Sequence, residues 1–222
     1  CSLACPIGTV YRNYFAKTPQ GNVGQTKKDQ INNLEDLENF VDNNSQHYWT
    51  TKNGYTDSTP KQLTSFNDKY RGMDENIRDE ILTKLRVGVH SDVEVIRTLE
   101  DQTLVHKVSQ VFCSAISIGY SSAGQSDWEI LAKLVLDATY ESTILAAVLN
   151  AHKGSSNIVV LTFIGGGVFG NNWLWIIDSI ARACALASHY DLDVRVAHYR
   201  RVEKETKALI DSKFAKYCEQ MK

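Results

Sequence analysis

Eight residues, Ile164-Gly165-Gly166-Gly167-Val168-Phe169-Gly170-Asn171, constrain this chain more than any other feature. They follow Asn157–Phe163 (NIVVLTF), a continuous apolar run of the kind that forms a parallel strand covered on both faces. They precede a stretch expected to be helical over Asn172–Ser188. Four glycines between positions 165 and 170 let the backbone take positive φ and let another molecule approach with no Cβ in the way. N–H groups freed in such a loop, beside a helix N-terminus, make an anion cradle whose natural occupant is a pyrophosphate. The competing reading is a tight turn that needs glycine for packing alone. The position at the C-terminal end of a strand favours the site.

The surrounding pattern predicts an α/β layered domain. Lys107–Tyr120 reads as a buried strand, and Ser121–Gln125 as a turn. Ser126 and Glu129 form an expected capping box that opens a helix to about Ala151. Leu192–Tyr199 alternates as a last strand, and Glu203–Lys222 closes as a charged amphipathic helix. Helices and strands in alternation with short connections specify a layered sheet. The N-terminal half is less regular. Asn33 is expected to cap a helix to Val41, Thr59-Pro60 to open another, and Met73–Leu85 to form a third. A short strand is read around "RVGVH". Residues 44–60 are polar and turn-rich and read as a surface insertion.

Composition narrows the partners. The 222 residues carry 24 Lys and Arg against 26 Asp and Glu, so no bulk field draws the chain to nucleic acid or anionic lipid. No apolar run is long enough for a membrane span. The five cysteines (Cys1, Cys5, Cys113, Cys184 and Cys218) are odd in number and form no CxxC pair, which suits free thiols in a reducing, cytoplasmic compartment. Six scattered histidines show no ligand spacing, so no metal and no cofactor is expected. Because the chain opens at Cys1 inside an apparently structured stretch, further sequence is expected upstream.

Gly165-x-Gly167-x-x-Gly170 also spells a dinucleotide fingerprint. Only one further strand follows it, however, and that strand ends His198-Tyr199-Arg200, where an NAD site wants an acid. Arg200 and Arg201 leave an NADP variant as the weaker alternative. No Lys-Ser/Thr pair follows the glycines, so an ATPase-type P-loop is excluded.

The segment "VVLTFIGGGVFGNNWLWIIDSIARA" resembles the second phosphate-binding loop of macrodomains, where a glycine loop and an aromatic residue surround the diphosphate and distal ribose of ADP-ribose. The segment "CPIGTVYRNYF…GQ…QINNLEDLE" resembles a divergent branch related to poly-ADP-ribose glycohydrolases. That branch includes a bacterial effector that removes ADP-ribose from ubiquitin, and eukaryotic relatives. The first Asn-Ala-Asn loop of macrodomains is absent from these residues. The resemblance implies one macrodomain-like domain over 1–222, a three-layer mixed sheet with helices on both faces and an irregular helical N-terminal half. It implies binding of ADP-ribose, or of an ADP-ribosylated protein such as ubiquitin, and removal of the modification from protein side chains. A non-catalytic reader of ADP-ribose, or a structural relative with a decayed pocket, is the alternative.

The ligand-binding residues implied are Gly165, Gly166, Gly167, Val168, Phe169, Gly170 and Asn171. Arg12, suited to a phosphate, and Asn13 join them from the YRNYF segment, where Tyr11 and Phe15 are alternatively core residues. Hydrolysis needs a carboxylate beside the distal ribose. Glu141 is the first candidate, an acid on a largely apolar helix face. Its other reading is a structural carboxylate holding Arg12 or loop amides. Asp127 is the second, at a strand-to-helix junction, or else simply a helix-dipole acid. Glu129, Lys133 and Asp137 read as a solvated stripe. The last helix suits either a protein partner or bare solvent.

Overall fold

The computed structural model describes residues 6–52, 54–95, 106–198 and 201–221. In chain order the elements are α1 (Pro6–Tyr14), α2 (Glu35–Phe40), α3 (Asn43–Gln46), β1 (Thr50–Lys52), β2 (Tyr55–Asp57), α4 (Pro60–Arg71) and α5 (Glu75–Leu82). There follow β3 (Gly88–Val95), β4 (His106–Phe112), a 3-10 turn (Ile118–Tyr120), α6 (Gln125–His152), β5 (Ile158–Leu161), α7 (Trp173–Leu186), β6 (Asp193–Val196) and α8 (Lys204–Gln220). They group into two compact units, residues 1–33 with 88–112, and residues 34–87 with 113–222.

In the first unit β3 and β4 form an antiparallel ladder from Gly88↔Phe112 to Val95↔His106, with a bulge between His90 and Val93. Helix α1 lies against it at Gly8, where a Cβ would fall 2.3 Å from the Gln110 Oε1 atom. The Arg12 guanidinium sits 5.1 Å over the Phe112 ring. The following loop is held by Asp29, whose carboxylate accepts from the Thr18 hydroxyl and the Asn22 amide. The Thr18 bond above all keeps that carboxyl below the usual range.

The second unit is built on α6. Its residues Trp128, Leu131, Leu134, Val135, Ala138, Tyr140, Ile144 and Val148 are all buried, as befits a helix enclosed on most sides. Helix α7 packs on it through Ile176, Ile180 and Ala183. The order α6–β5–α7–β6–α8 follows the expected alternation, and β5 and β6 pair in parallel from Ile158↔Asp193 to Leu161↔Val196. Tyr199, the expected end of the last strand, and Arg200 lie outside the described residues. Thr59-Pro60 opens α4 as expected: Thr59 Oγ1 accepts from the Gln62 amide, and Gln62 Oε1 accepts from the Thr59 amide. Among the described residues no helix is long and apolar enough to cross a membrane.

Several expectations are corrected. The fold is mixed α/β, but the described strands form three separate two-stranded sheets, not one three-layer sheet. The strand expected over Lys107–Tyr120 stops at Phe112. Beyond it, side chains take the carbonyls a neighbouring strand would need. Thr139 Oγ1 donates to the Ser114 carbonyl and Asn171 Nδ2 to that of Ile116, while the Ser117 hydroxyl itself donates to the Thr56 carbonyl of β2. Strand β5 is covered on one face only, with Val160 60% exposed on the other. Helix α6 begins earlier than the Ser126 capping box, at an N-cap of Gly124, because the Asp127 carboxylate accepts from the Gly124 amide at 2.9 Å. Helix α2 starts after Leu34 with no side-chain cap, in place of Asn33. The third helix is shorter than Met73–Leu85, running from an N-cap at Asp74 to Leu82. Residues 44–60 are not a mere surface insertion. They bury Tyr48 and Trp49 in the core, with the Asn43 side chain bonded to both the amide and the carbonyl of Trp49.

Candidate functional site

The glycine loop joins β5 to α7, as its sequence position requires. Its entry is pinned by Tyr140, fully buried on α6, whose hydroxyl donates to the Thr162 carbonyl at 2.6 Å and accepts from the Ile164 amide at 2.9 Å. Burial pushes the ionisation of that phenol far up, so it remains a donor. The exit is pinned by Asn171, whose Nδ2 donates to Ile116 O at 2.8 Å and whose amide donates to Gly165 O at 3.0 Å. Asn171 Oδ1 is left buried with no partner among the described residues. Gln125, the first residue of α6, adds a clasp by donating from Nε2 to Gly170 O at 2.8 Å. Asn172 caps α7 by accepting from the Leu174 amide.

The glycines divide by what the fold demands of them. Gly165 has a φ of +79°, and a Cβ there would lie 2.5 Å from the Ala115 Cβ and 2.6 Å from Asn171 Nδ2. Gly166 faces Ile176 closely. Gly167 is different: a Cβ there would meet nothing within 4 Å, and its φ is not positive. Among the described residues the amides of Gly167, Val168 and Phe169 have no acceptor, and Val168 is 75% exposed. The chain therefore offers open N–H groups at the one loop glycine its own packing does not require.

Two aromatic groups flank these amides. Tyr55 on β2, Tyr120 in the 3-10 turn and Phe169 in the loop meet edge to face, with ring centroids 5.5 to 6.2 Å apart. Tyr55 and Tyr120 are about half exposed. Asp57, one side-chain period along β2 from Tyr55, accepts from the Ser121 hydroxyl and the Ser58 amide. At the foot of α7, Phe163 stacks on Trp173 at 4.1 Å, and His198 meets Phe163 edge-on at 5.1 Å. None of Tyr55, Asp57, Tyr120 or Trp173 was singled out from sequence. Their convergence is long-range, and only Phe169 carried a local signal.

Of the expected acids, Asp127 lies in the first turn of α6, which Gln125 ties to the loop. One of its oxygens is spent on the Gly124 amide. Glu141 is placed elsewhere. Its Oε2 accepts from Arg182 at 2.7 Å, and Arg182 stands nine residues along α7 from Trp173, a rise of about 14 Å. The structural reading of Glu141 thus has a partner, Arg182 in place of Arg12 or the loop amides. Arg12 and Asn13 belong to the first unit, where Gln25 Nε2 donates to the Arg12 carbonyl and to Asn13 Oδ1. Tyr11 and Phe15 are exposed there and are not core residues.

The expected stripe is corrected at one point. Glu129 and Lys133 pair at 2.5 Å as a solvated couple, but Asp137 turns to α7 and accepts from the Ser179 hydroxyl at 2.6 Å. Burial raises the Asp137 carboxyl above its ordinary value of 3.8, and the Ser179 bond and the Arg182 charge only partly oppose this. The folded state therefore binds this proton more tightly than the unfolded chain does. Its stabilising effect is present at acid pH and is lost as pH rises through the folded value. Asp137→Asn keeps an acceptor for Ser179. It should raise the melting temperature at pH 7, with the difference shrinking to nothing near pH 4. A variant less stable than wild type at pH 7 contradicts burial as the dominant cause.

Among the described residues no group of three or more His, Cys, Asp or Glu side chains is arranged to hold a metal ion. No family model matches the chain, nor does any curated protein or solved structure at a significant level.

Proposed function

We propose that the loop from Gly165 to Asn171 binds the diphosphate of ADP-ribose, and that the protein removes ADP-ribose from modified protein side chains. The observation that carries this reading is the row of unpaired amides from Gly167 to Phe169 under the open space at Gly167. Backbone donors fixed in place before a ligand arrives suit phosphate oxygens, and the α7 N-terminus adds its dipole. The rings of Tyr120, Tyr55 and Phe169 offer faces and edges for a base or ribose beside those amides. The ligand class extends the macrodomain resemblance of the loop sequence, while the sheets themselves do not form the macrodomain's single layer.

Hydrolysis then falls to Asp127. As a carboxylate it takes a proton from water while the water oxygen bonds to the ribose anomeric carbon. The glycosidic bond breaks with its electron pair leaving on the protein side chain, which then takes that proton from Asp127 and so restores the carboxylate. Asp127→Asn should lower release of ADP-ribose from a modified protein about 100-fold and leave ADP-ribose affinity within twofold. Parallel release assays and calorimetry on the two proteins check this. Equal turnover by the variant removes Asp127 from the mechanism.

The second reading, a module that holds ADP-ribose without cleaving it, is favoured by one observation. Glu141, the other candidate acid, is committed to Arg182 in the packed seam between α6 and α7. Wild-type protein that binds ADP-ribose and releases none from modified substrate selects this reading.

A further inference from the structure

The 3-10 turn at Ile118–Tyr120 meets the glycine loop through the Tyr120 ring and through Gly119, and the contact at Gly119 is unusually close. A Cβ on Gly119 would fall 2.3 Å from the Val168 carbonyl oxygen, and the Gly119 amide donates to the Phe169 carbonyl at 3.0 Å. Gly119 does not take a positive φ. The glycine is needed there for space alone.

From these facts we infer that Gly119 is the positioning residue that aims the anion-binding amides of the loop, an inference that rests on the diphosphate reading above. In a planar trans peptide the C=O and the following N–H point in opposite directions. The Val168 carbonyl lies over Gly119, so the N–H in the same peptide plane, that of Phe169, is turned away from the 3-10 turn. The Gly167 carbonyl accepts from the Gly170 amide at 3.0 Å, so the Val168 N–H is turned away from that internal bond in the same manner. The bare Cα of Gly119 thus sets the orientation of a peptide whose N–H has no acceptor within the chain. Any side chain at 119 drives the Val168 oxygen off and rotates the Val168–Phe169 peptide, misdirecting the Phe169 donor. The three atoms nearest to such a Cβ all belong to the backbone of Val168 and Phe169.

The test is Gly119→Ala in the full chain, with ADP-ribose as the probe. The expected result is a folded variant that melts below wild type, because the Val168 backbone must shift, and that binds ADP-ribose at least tenfold more weakly at a temperature where it is fully folded. Hydrogen exchange supplies a readout that a purely structural role would not move. ADP-ribose should slow exchange at the Phe169 amide of wild type and should not do so in the variant. A folded variant that binds as tightly as wild type overturns the inference. If the variant does not fold, exchange in wild type decides: protection of the Phe169 amide on binding supports the inference, and binding without it refutes it. Wild type that fails to bind ADP-ribose removes the diphosphate reading and this inference with it.

Discussion

Gly165→Ala is expected to destabilise the protein by about 2–5 kcal/mol, measured by denaturant unfolding, whereas Gly167→Ala should fall within about 0.5 kcal/mol of wild type. The two residues are separated by a single position and both lack a side chain, yet the fold treats them differently. At Gly165 a φ of +79° imposes the left-handed penalty on any other residue, roughly 1–2 kcal/mol. The added methyl would also press on the Ala115 Cβ and on Asn171 Nδ2, the donor that ties the loop to Ile116. Overpacking of that kind costs about 1–3 kcal/mol more. At Gly167 neither cost arises, since the methyl projects into open space. Similar losses for both variants would mean that the loop is a packing turn throughout.

That division was only half legible in the sequence. The glycine run announced a strand–loop–helix junction because glycine density between an apolar run and a helical pattern is a local signal, and β5 and α7 flank it as expected. Which glycines serve the fold depends on Ala115, 50 positions earlier in the chain, and on how the loop turns back toward Asn171 and Ile176. The alternation α6–β5–α7–β6–α8 was readable for the same local reason. The segment after Phe112 was not. Ala115, Ile116 and Ile118 are buried as a strand's residues would be, but serine, threonine and asparagine side chains satisfy the neighbouring carbonyls, and composition cannot show this.

The acids were the least legible part. Helical phase correctly placed Glu141 on a packed face and Glu129 beside Lys133. It could not show that Arg182, 41 residues later, would claim Glu141, or that Ser179 would draw Asp137 inward. Residues 44–60 misled because polar composition masked Tyr48 and Trp49, whose burial is fixed by Asn43 and by the edge contacts of Trp49 and Tyr48 with Phe66. The same segment carries Tyr55 and Asp57 to the loop's aromatic flank.

The second large effect concerns binding. Gly167→Glu leaves the fold nearly untouched, since nothing lies within 4 Å of the new Cβ, but it places a carboxylate over the amides of Val168 and Phe169. An anion fixed on an anion site excludes phosphate by charge and by volume, so affinity for ADP-ribose should fall at least 100-fold, about 2.7 kcal/mol. Calorimetric titration of ADP-ribose into the wild-type chain and into Gly167→Glu tests the account most directly. The account predicts saturable binding to wild type and none to the variant, with melting temperatures that agree. Absence of binding to folded wild-type protein, or equal binding to both, would contradict it.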